Sequence, residues 1–139
     1  MTATRSLLLF LFAVLCTLAP ARAQSVEWVQ LAAVGPSPRW GHALAYDAAR
    51  GVTVLFGGYS GGLDYNGDTW EWNGTAWTQR SVSGPSPRYF HAMAYDSARG
   101  VTVLFGGLTD IGVSGETWEW NGTACTQRAV GGPSPRSEA

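Results

Sequence analysis

Short runs in which apolar and polar residues alternate recur along the chain and predict β-strands. The first four runs are HALAY at 42–46, VTVLF at 52–56, TWEW at 69–72 and AWTQR at 76–80. A DAARG turn follows the first run, and Asn73-Gly74, a strong hairpin signal, precedes the last. The pattern therefore predicts a four-stranded antiparallel meander.

The chain contains this meander twice, because it is built from an internal repeat. The segment GPSPR begins at Gly35, Gly84 and Gly132, which are 49 and 48 residues apart. AYD-x-ARGVTVLFGG and TWEWNGTA also recur at this spacing. We therefore divide the chain after residue 23 into three parts. These are unit one at about 35–83, unit two at about 84–131, and the start of a third unit at 132–139.

Seven residues mark the two units as similar to kelch repeats. They are the double glycines Gly57-Gly58 and Gly106-Gly107, the aromatic residues Trp70 and Trp118 on the next strand, and Trp77 seven residues further on. The resemblance covers residues 28–136 and implies a β-propeller in which each unit is one blade. In such a fold, packing between blades explains the tryptophans better than stacking on a sugar does.

The expected fold class is all-β, with two four-stranded antiparallel kelch-type blades plus one stray outer strand at 25–31. Trp28 of that strand lies 49 residues before Trp77. Closed propellers have about four to eight blades, so the predicted propeller is incomplete. Unit two also departs from the pattern, because Cys125 replaces the tryptophan and Ser137-Glu138-Ala139 stands where a third unit would continue. Unpaired blades of this kind predict self-association.

Residues 1–23 have the pattern of a secretory signal peptide. Arg5 precedes an apolar run at 7–18, and the segment ends in Ala21-Arg22-Ala23. The run is shorter than the roughly 20 residues that span a bilayer, so no membrane span is expected. We predict cleavage after Ala23 and a secreted protein, extracellular or periplasmic, that begins at Gln24.

Charge and cysteine content narrow the possible functions. After residue 23 the chain has seven arginines against ten acidic residues, a net charge of −3. This balance offers no basic surface for nucleic acid, so no nucleic-acid partner is expected. Cys125 is the one cysteine left after cleavage, so the mature chain has no internal disulfide.

No catalytic constellation, cofactor site or metal site is predicted. His42 and His91 occupy matching strand positions, but their neighbours are apolar or tyrosine, which favours hydrogen-bonded structural histidines over ligands. Residues 64–68 alternate oxygen-bearing side chains, yet glycine falls fourth instead of sixth and Thr75 replaces the glutamate of a calcium loop. Asn73 and Asn121 fit glycosylation signals that hairpin turns also explain.

The ligand-binding prediction rests on strand direction. In a meander, the loops after the second and fourth strands lie at one end, so the GPSPR arginines share a rim with the variable loops 59–68 and 108–116. The candidate residues there are Arg39, Arg88, Tyr59, Asp64, Tyr65 and Asp68. Together they suit an acidic peptide or a sugar. The alternative is that each arginine only braces its own blade junction.

The function expected from this reasoning is a secreted, non-catalytic kelch-repeat module that binds protein or glycan and is part of a larger or truncated propeller. Two alternatives stay open. Some kelch-type propellers belong to secreted copper oxidases similar to galactose oxidase, and the chain contains the tyrosine, histidine and cysteine residue types of that site. It would then be the remnant of a carbohydrate-active enzyme. The other alternative is a truncated product without a function of its own.

Overall fold

The computed structural model describes residues 29, 34–80, 82–128 and 131–138. Two predicted segments lie outside these residues. They are the signal segment 1–23 with Gln24, and the stray strand at 25–31 except for residue 29. Residues 31–139 form one compact unit, and the description below concerns that unit. Within the described ranges the structure is all-β, and no helix there is long and apolar enough to cross a membrane.

Two four-stranded antiparallel sheets confirm the predicted architecture of the units. The first sheet has the order β1-β2-β3-β4, and the second has the order β10-β9-β6-β5. The strands of the first are β1 (Ala43–Asp47), β2 (Val52–Phe56), β3 (Thr69–Trp72) and β4 (Trp77–Arg80). Those of the second are β5 (Ala92–Asp96), β6 (Val101–Phe105), β9 (Thr117–Trp120) and β10 (Cys125–Arg128). The register is also repeated, since Leu55 pairs with Trp70 and Leu104 with Trp118.

The second unit contains a small hairpin that the sequence pattern did not predict. Its strands β7 (Leu108–Thr109) and β8 (Gly112–Val113) pair inside the loop between β6 and β9. Each strand is only two residues long, and the turn Asp110-Ile111 has no strong turn signal. Local alternation is too short there to be read as a strand.

Side-chain oxygens close the tight turns at the positions the sequence indicated. Asp47 Oδ1 accepts the backbone N–H groups of Ala49 and Arg50, each at 3.1 Å. Asn73 Oδ1 accepts those of Thr75 and Ala76, each at 2.9 Å. Both are Asx turns, in which a short polar side chain replaces a backbone acceptor. The strand after Asn73 begins one residue later than predicted, because Ala76 belongs to its turn.

Each sheet has two distinct faces, which we name the Glu face and the Trp face. In the first sheet the Glu face carries Ala45, Asp47, Val54, Phe56 and Glu71, and the Trp face carries Leu44, Tyr46, Leu55, Trp70 and Trp72. The second sheet repeats both faces at the equivalent positions. The Glu face of the first sheet packs against the Trp face of the second, and the core lies between them.

A backbone hydrogen bond also connects the two units, and its close approach explains why glycines stand at this position. The N–H of Gly58 donates to the carbonyl of Arg88 at 2.9 Å, and the next unit makes the same bond from Gly107 to Arg136. Gly57 has φ +65°, and a Cβ there would collide with the Arg88 carbonyl. Only glycine combines this backbone angle with so close an approach.

Candidate functional site

The rim predicted from strand direction contains two kinds of segment side by side. We call residues 36–39, 85–88 and 133–136 straps; each is a Pro-Ser-Pro-Arg segment. Just beyond the first two straps, Trp40 forms a β-bridge with Tyr59, and Tyr89 forms one with Leu108. The straps and the loops after β2 and β6 therefore lie together at one end of the sheets.

Arg39 is held in the first unit by several hydrogen bonds. Its Nη1 donates to Asp68 Oδ1 at 2.5 Å and its Nη2 to Asp68 Oδ2 at 3.1 Å. The Trp70 indole also donates to this carboxylate, at 2.6 Å. Burial alone raises the pKa of Asp68, but the bonds from Arg39 and Trp70 outweigh it and hold the pKa below its ordinary value.

Arg88 makes the equivalent contacts in the second unit and is fully buried. Its Nη2 donates to Glu116 Oε2 at 2.5 Å, and its Nη1 donates to the Gly106 carbonyl at 2.9 Å. The Trp118 indole donates to the same Glu116 oxygen at 3.1 Å. Both guanidinium groups are thus enclosed within their own units and paired with carboxylates, which is the arrangement of the bracing alternative.

Tyr59 and Tyr65 belong to a cluster of five aromatic rings. Tyr59 contacts Trp40, Tyr65 and Tyr89, with ring centroids 5.1, 5.6 and 5.5 Å away. Phe90 contacts Trp40 and Tyr89 at 5.4 and 4.8 Å. We name Trp40, Tyr59, Tyr65, Tyr89 and Phe90 the aromatic platform. Trp40 is half exposed, so part of the platform faces solvent.

Phe90 reaches the platform through an unusual backbone conformation. Its φ is +56°, whereas the equivalent residue of unit one is Gly41 with φ +63°. The Phe90 N–H donates to the Gly41 carbonyl at 2.7 Å, which fixes this geometry. A left-handed backbone is costly for a bulky residue, so the surrounding contacts must compensate for it.

A groove of about 350 Å³ opens beside the platform. Its walls come from the loop after β2, the second strap and the hairpin turn between β7 and β8. The lining residues are Leu63, Asp64, Tyr65, Ser86, Pro87 and Asp110. Its size falls at the lower end of the range for small-molecule sites.

The charge of this groove is negative and its rim is partly apolar. Asp64 and Asp110 are exposed, while the nearby Arg88 is neutralised by Glu116. Leu63 and Ile111, next to these acids, are about nine-tenths exposed. The arrangement supplies hydrogen-bond acceptors and apolar contacts, and it offers no free cation among its lining residues for an acidic peptide.

Four of the six predicted binding residues have polar groups that bond within the chain. Arg39 pairs with Asp68, Arg88 pairs with Glu116, and Tyr59 donates to the Gly62 carbonyl at 2.8 Å within its own loop. Asp64 and Tyr65 line the groove. Sequence reasoning missed Trp40, Tyr89, Phe90 and Asp110. Aligning Trp40 of unit one with Tyr89 of unit two would have identified an aromatic position at each strap.

The sheet interface contains a second polar cluster that the sequence analysis did not assign. Glu71 is buried and accepts hydrogen bonds from Arg50 at 2.5 Å, Arg80 at 2.7 Å and Trp120 at 3.0 Å. Burial raises the pKa of Glu71, but these bonds together lower it below the ordinary value. Glu119 of the second sheet pairs in the same way with Arg99 and Arg128. These clusters are structural, since each charge is paired.

His91 lies in the interface and differs from the prediction of a hydrogen-bonded histidine. Neither of its ring nitrogens has a hydrogen-bond partner among the described residues, and its ring packs edge-on against Phe56 at 5.5 Å. Burial, followed by the charge of Arg88, lowers the pKa of His91 from 6.5 to about 4. The ring is therefore neutral at pH 7.

No protein-family model matches the chain, and a comparison with curated proteins finds no match.

Proposed function

We propose that the protein is a secreted, non-catalytic binding module of the kelch type, and that it holds a glycan in the groove beside the aromatic platform. Two meanders in face-to-face contact support the assignment to propeller blades. The double glycines support the kelch resemblance, because in both units they seat the strap of the following unit.

The proposal of a glycan as the ligand rests on which residues line the groove. Asp64 and Asp110 accept hydrogen bonds, and Ser86 and Tyr65 have hydroxyls that donate and accept them. A sugar presents many hydroxyls and one or two apolar faces, so it matches both these groups and the tyrosine rings. An acidic peptide is a poorer match, because Arg39 and Arg88 are already paired with carboxylates.

A protein partner is the second candidate, favoured by one observation. Leu63 and Ile111 project from neighbouring loops and are about nine-tenths exposed. Isolated exposed apolar side chains are normal, but Leu63 lines the groove and Ile111 follows its lining residue Asp110, and apolar side chains beside a groove are typical of an interaction site. In that case the groove would receive a side chain of the partner.

Affinity electrophoresis in gels containing neutral polysaccharides, such as soluble xylan, mannan and mixed-linkage β-glucan, tests the glycan proposal. We expect one of these to retard the protein and the retardation to be lost in Tyr65→Ala. Val113→Ala is the control, since Val113 is an exposed side chain of β8 that does not line the groove. If no polysaccharide retards the protein, or if both variants behave alike, the glycan proposal is wrong.

Export is a separate part of the proposal and has its own test. Expression of the full-length gene with analysis of the culture medium and periplasm is expected to yield a chain that begins at Gln24. Retention in the cytoplasm with residues 1–23 intact would contradict it.

A further inference from the structure

We infer that the Trp face of the first sheet and the Glu face of the second sheet dock onto each other between two copies of this chain. This inference is independent of the proposed ligand. It rests on the interface inside the chain, where a Glu face already packs against a Trp face.

The internal interface defines what such a contact needs. On the Glu face of the first sheet, Glu71 accepts the indole N–H of Trp120 at 3.0 Å, and Arg50 lies 6.0 Å from the centre of the Trp120 ring. Val54 and Phe56 line a small apolar cavity shared with Met93 of the second sheet. A Glu–Trp hydrogen bond and an apolar centre are thus the two components of the contact.

The Glu face of the second sheet carries the same kinds of residues as that of the first. Among the described residues, no other sheet packs against it. Glu119 pairs with Arg99 and Arg128 as Glu71 does with Arg50 and Arg80. The side chain of Asp96 is 32% exposed, whereas its counterpart Asp47 is 2% exposed beneath the second sheet. Ala94 is exposed, while the equivalent Ala45 is buried.

The Trp face of the first sheet carries the residues equivalent to those that the second sheet uses at the internal interface. Leu44 and Tyr46 are 49% and 60% exposed, whereas the equivalent Met93 and Tyr95 are half-buried at the internal interface. Trp72 is half-buried, and its counterpart Trp120 is buried. A second copy that follows the internal geometry places the Trp72 indole against Glu119.

Repetition of the unit is the reason to choose a second copy as the occupant. The two sheets share their strand sequences VTVLF and TWEW, so the new interface would bring together nearly the same side chains as the internal one. Such a contact joins two different faces and is therefore heterologous, which generates rings or open chains of copies.

One segment must move for the full contact to form. The strap at 133–136 is hydrogen-bonded to Gly107, and in a contact that follows the internal geometry the strap 36–39 of a second copy would bind at this position instead. Arg39 is anchored to Asp68 of its own unit, whereas Arg136 donates only to Ser134 among the described residues. The strap of the second copy would therefore arrive already fixed to its own sheet, whereas the displaced strap must give up its backbone hydrogen bonds to Gly107 and Ser114.

Two variants that each block one face test the inference. Leu44→Asp puts a charge on the Trp face of the first sheet, and Ala94→Arg puts a bulky charge on the Glu face of the second. Val113→Asp is the control, because this exposed valine lies in β8, outside the groove and on neither face. All three sites are exposed, so the thermal midpoint of each variant at low concentration should match that of the unaltered protein.

Sedimentation velocity over a range of concentrations is the measurement. We expect the mass of the unaltered protein and of Val113→Asp to rise with concentration, and each face variant alone to remain monomeric. An equimolar mixture of the two face variants should form a one-to-one heterodimer and nothing larger, because one intact face of each type remains. A monomeric unaltered protein, association that the face variants leave unchanged, or a mixture that stays monomeric would each overturn the inference.

Discussion

Trp120 of the second sheet donates its indole N–H to Oε1 of Glu71 in the first sheet, 3.0 Å away. The same oxygen accepts a hydrogen bond from Arg50, so one carboxylate joins a turn of its own sheet to a strand of the next. Glu71 is almost completely buried, and removing it would leave the buried Trp120 indole without its acceptor and Arg50 with Asp47 as its remaining carboxylate partner.

Glu71→Ala should therefore destabilise the fold by about 2 kcal/mol, since a buried indole loses its acceptor while the two arginines left behind are partly exposed. Glu119→Ala is the matched control, since Glu119 holds the equivalent two arginines but accepts no indole among the described residues. Its cost should be smaller, about 1 kcal/mol. Urea denaturation at low protein concentration measures both, and equal losses would show that the Trp120 contact adds nothing.

Gly57→Ala should cost more than the backbone angle alone explains. Gly51 has nearly the same φ, +66°, and a Cβ added there would meet no atom, whereas a Cβ at Gly57 meets the Arg88 carbonyl. We expect about 1 kcal/mol for Gly51→Ala and about 3 kcal/mol for Gly57→Ala. Thermal unfolding of the two variants gives the comparison. Similar midpoints would mean that the strap can move away without loss.

Acid should weaken the fold through His91 before it affects the carboxylates. Burial lowers the pKa of His91 from 6.5 to about 4, so the unfolded chain binds more protons between these values. The stability that depends on neutral His91 is therefore complete above pH 6.5 and is lost as the pH falls towards 4, by up to about 3 kcal/mol. Denaturant titrations at pH 7.0, 6.0 and 5.0 should show this decline.

His91→Phe is the test of that assignment, because it keeps a ring against Phe56 and removes the titrating group. Arg88 and His42 are the other charged or titratable groups that act on His91, and both are retained in the variant. The variant should lose most of the decline between pH 6.5 and 5. An unchanged decline would assign the pH dependence to other groups.

Cys125→Trp should stabilise the interface between the sheets. Cys125 borders the apolar cavity that Val54, Met93 and Leu104 also line, and its counterpart Trp77 packs on Trp72 with ring centroids 5.6 Å apart. A tryptophan at position 125 can pack on Trp120 in the same way. We expect a gain of about 1 to 3 kcal/mol in the free energy of unfolding. A lower thermal midpoint would mean that Gly84, which lies against the Cys125 sulfur, leaves no room for the ring.

The strands and turns were predictable because their signals are local. Alternation located VTVLF and TWEW to the residue, and Asp47 and Asn73 marked their turns. The partners of the charged side chains were not predictable in this way, since Arg39 and Asp68 are 29 residues apart and meet only when the sheet forms. For that reason the sequence left both roles open for the strap arginines, ligand binding and bracing of their own units.

The groove was partly predictable, because variable loops at one end of a scaffold are where binding residues concentrate. Tyr65 and Asp64 follow from that rule. Asp110 and the β7–β8 hairpin do not, because two-residue strands carry no readable period. Trp40, Tyr89 and Phe90 were overlooked because they flank the straps and lie outside the repeated GPSPR motif, in which arginine is the charged residue.

The second strap contacts both sheets through one residue, Arg88. The second strap bonds through the Arg88 carbonyl to the glycine pair of the preceding unit, while the Arg88 guanidinium binds Glu116 of its own unit. The same short segment therefore connects to one sheet through its backbone and to the other through its side chain. Copying a single unit in the gene copies a complete connector with it, so an array of this design can lengthen by duplication without any new joint having to evolve.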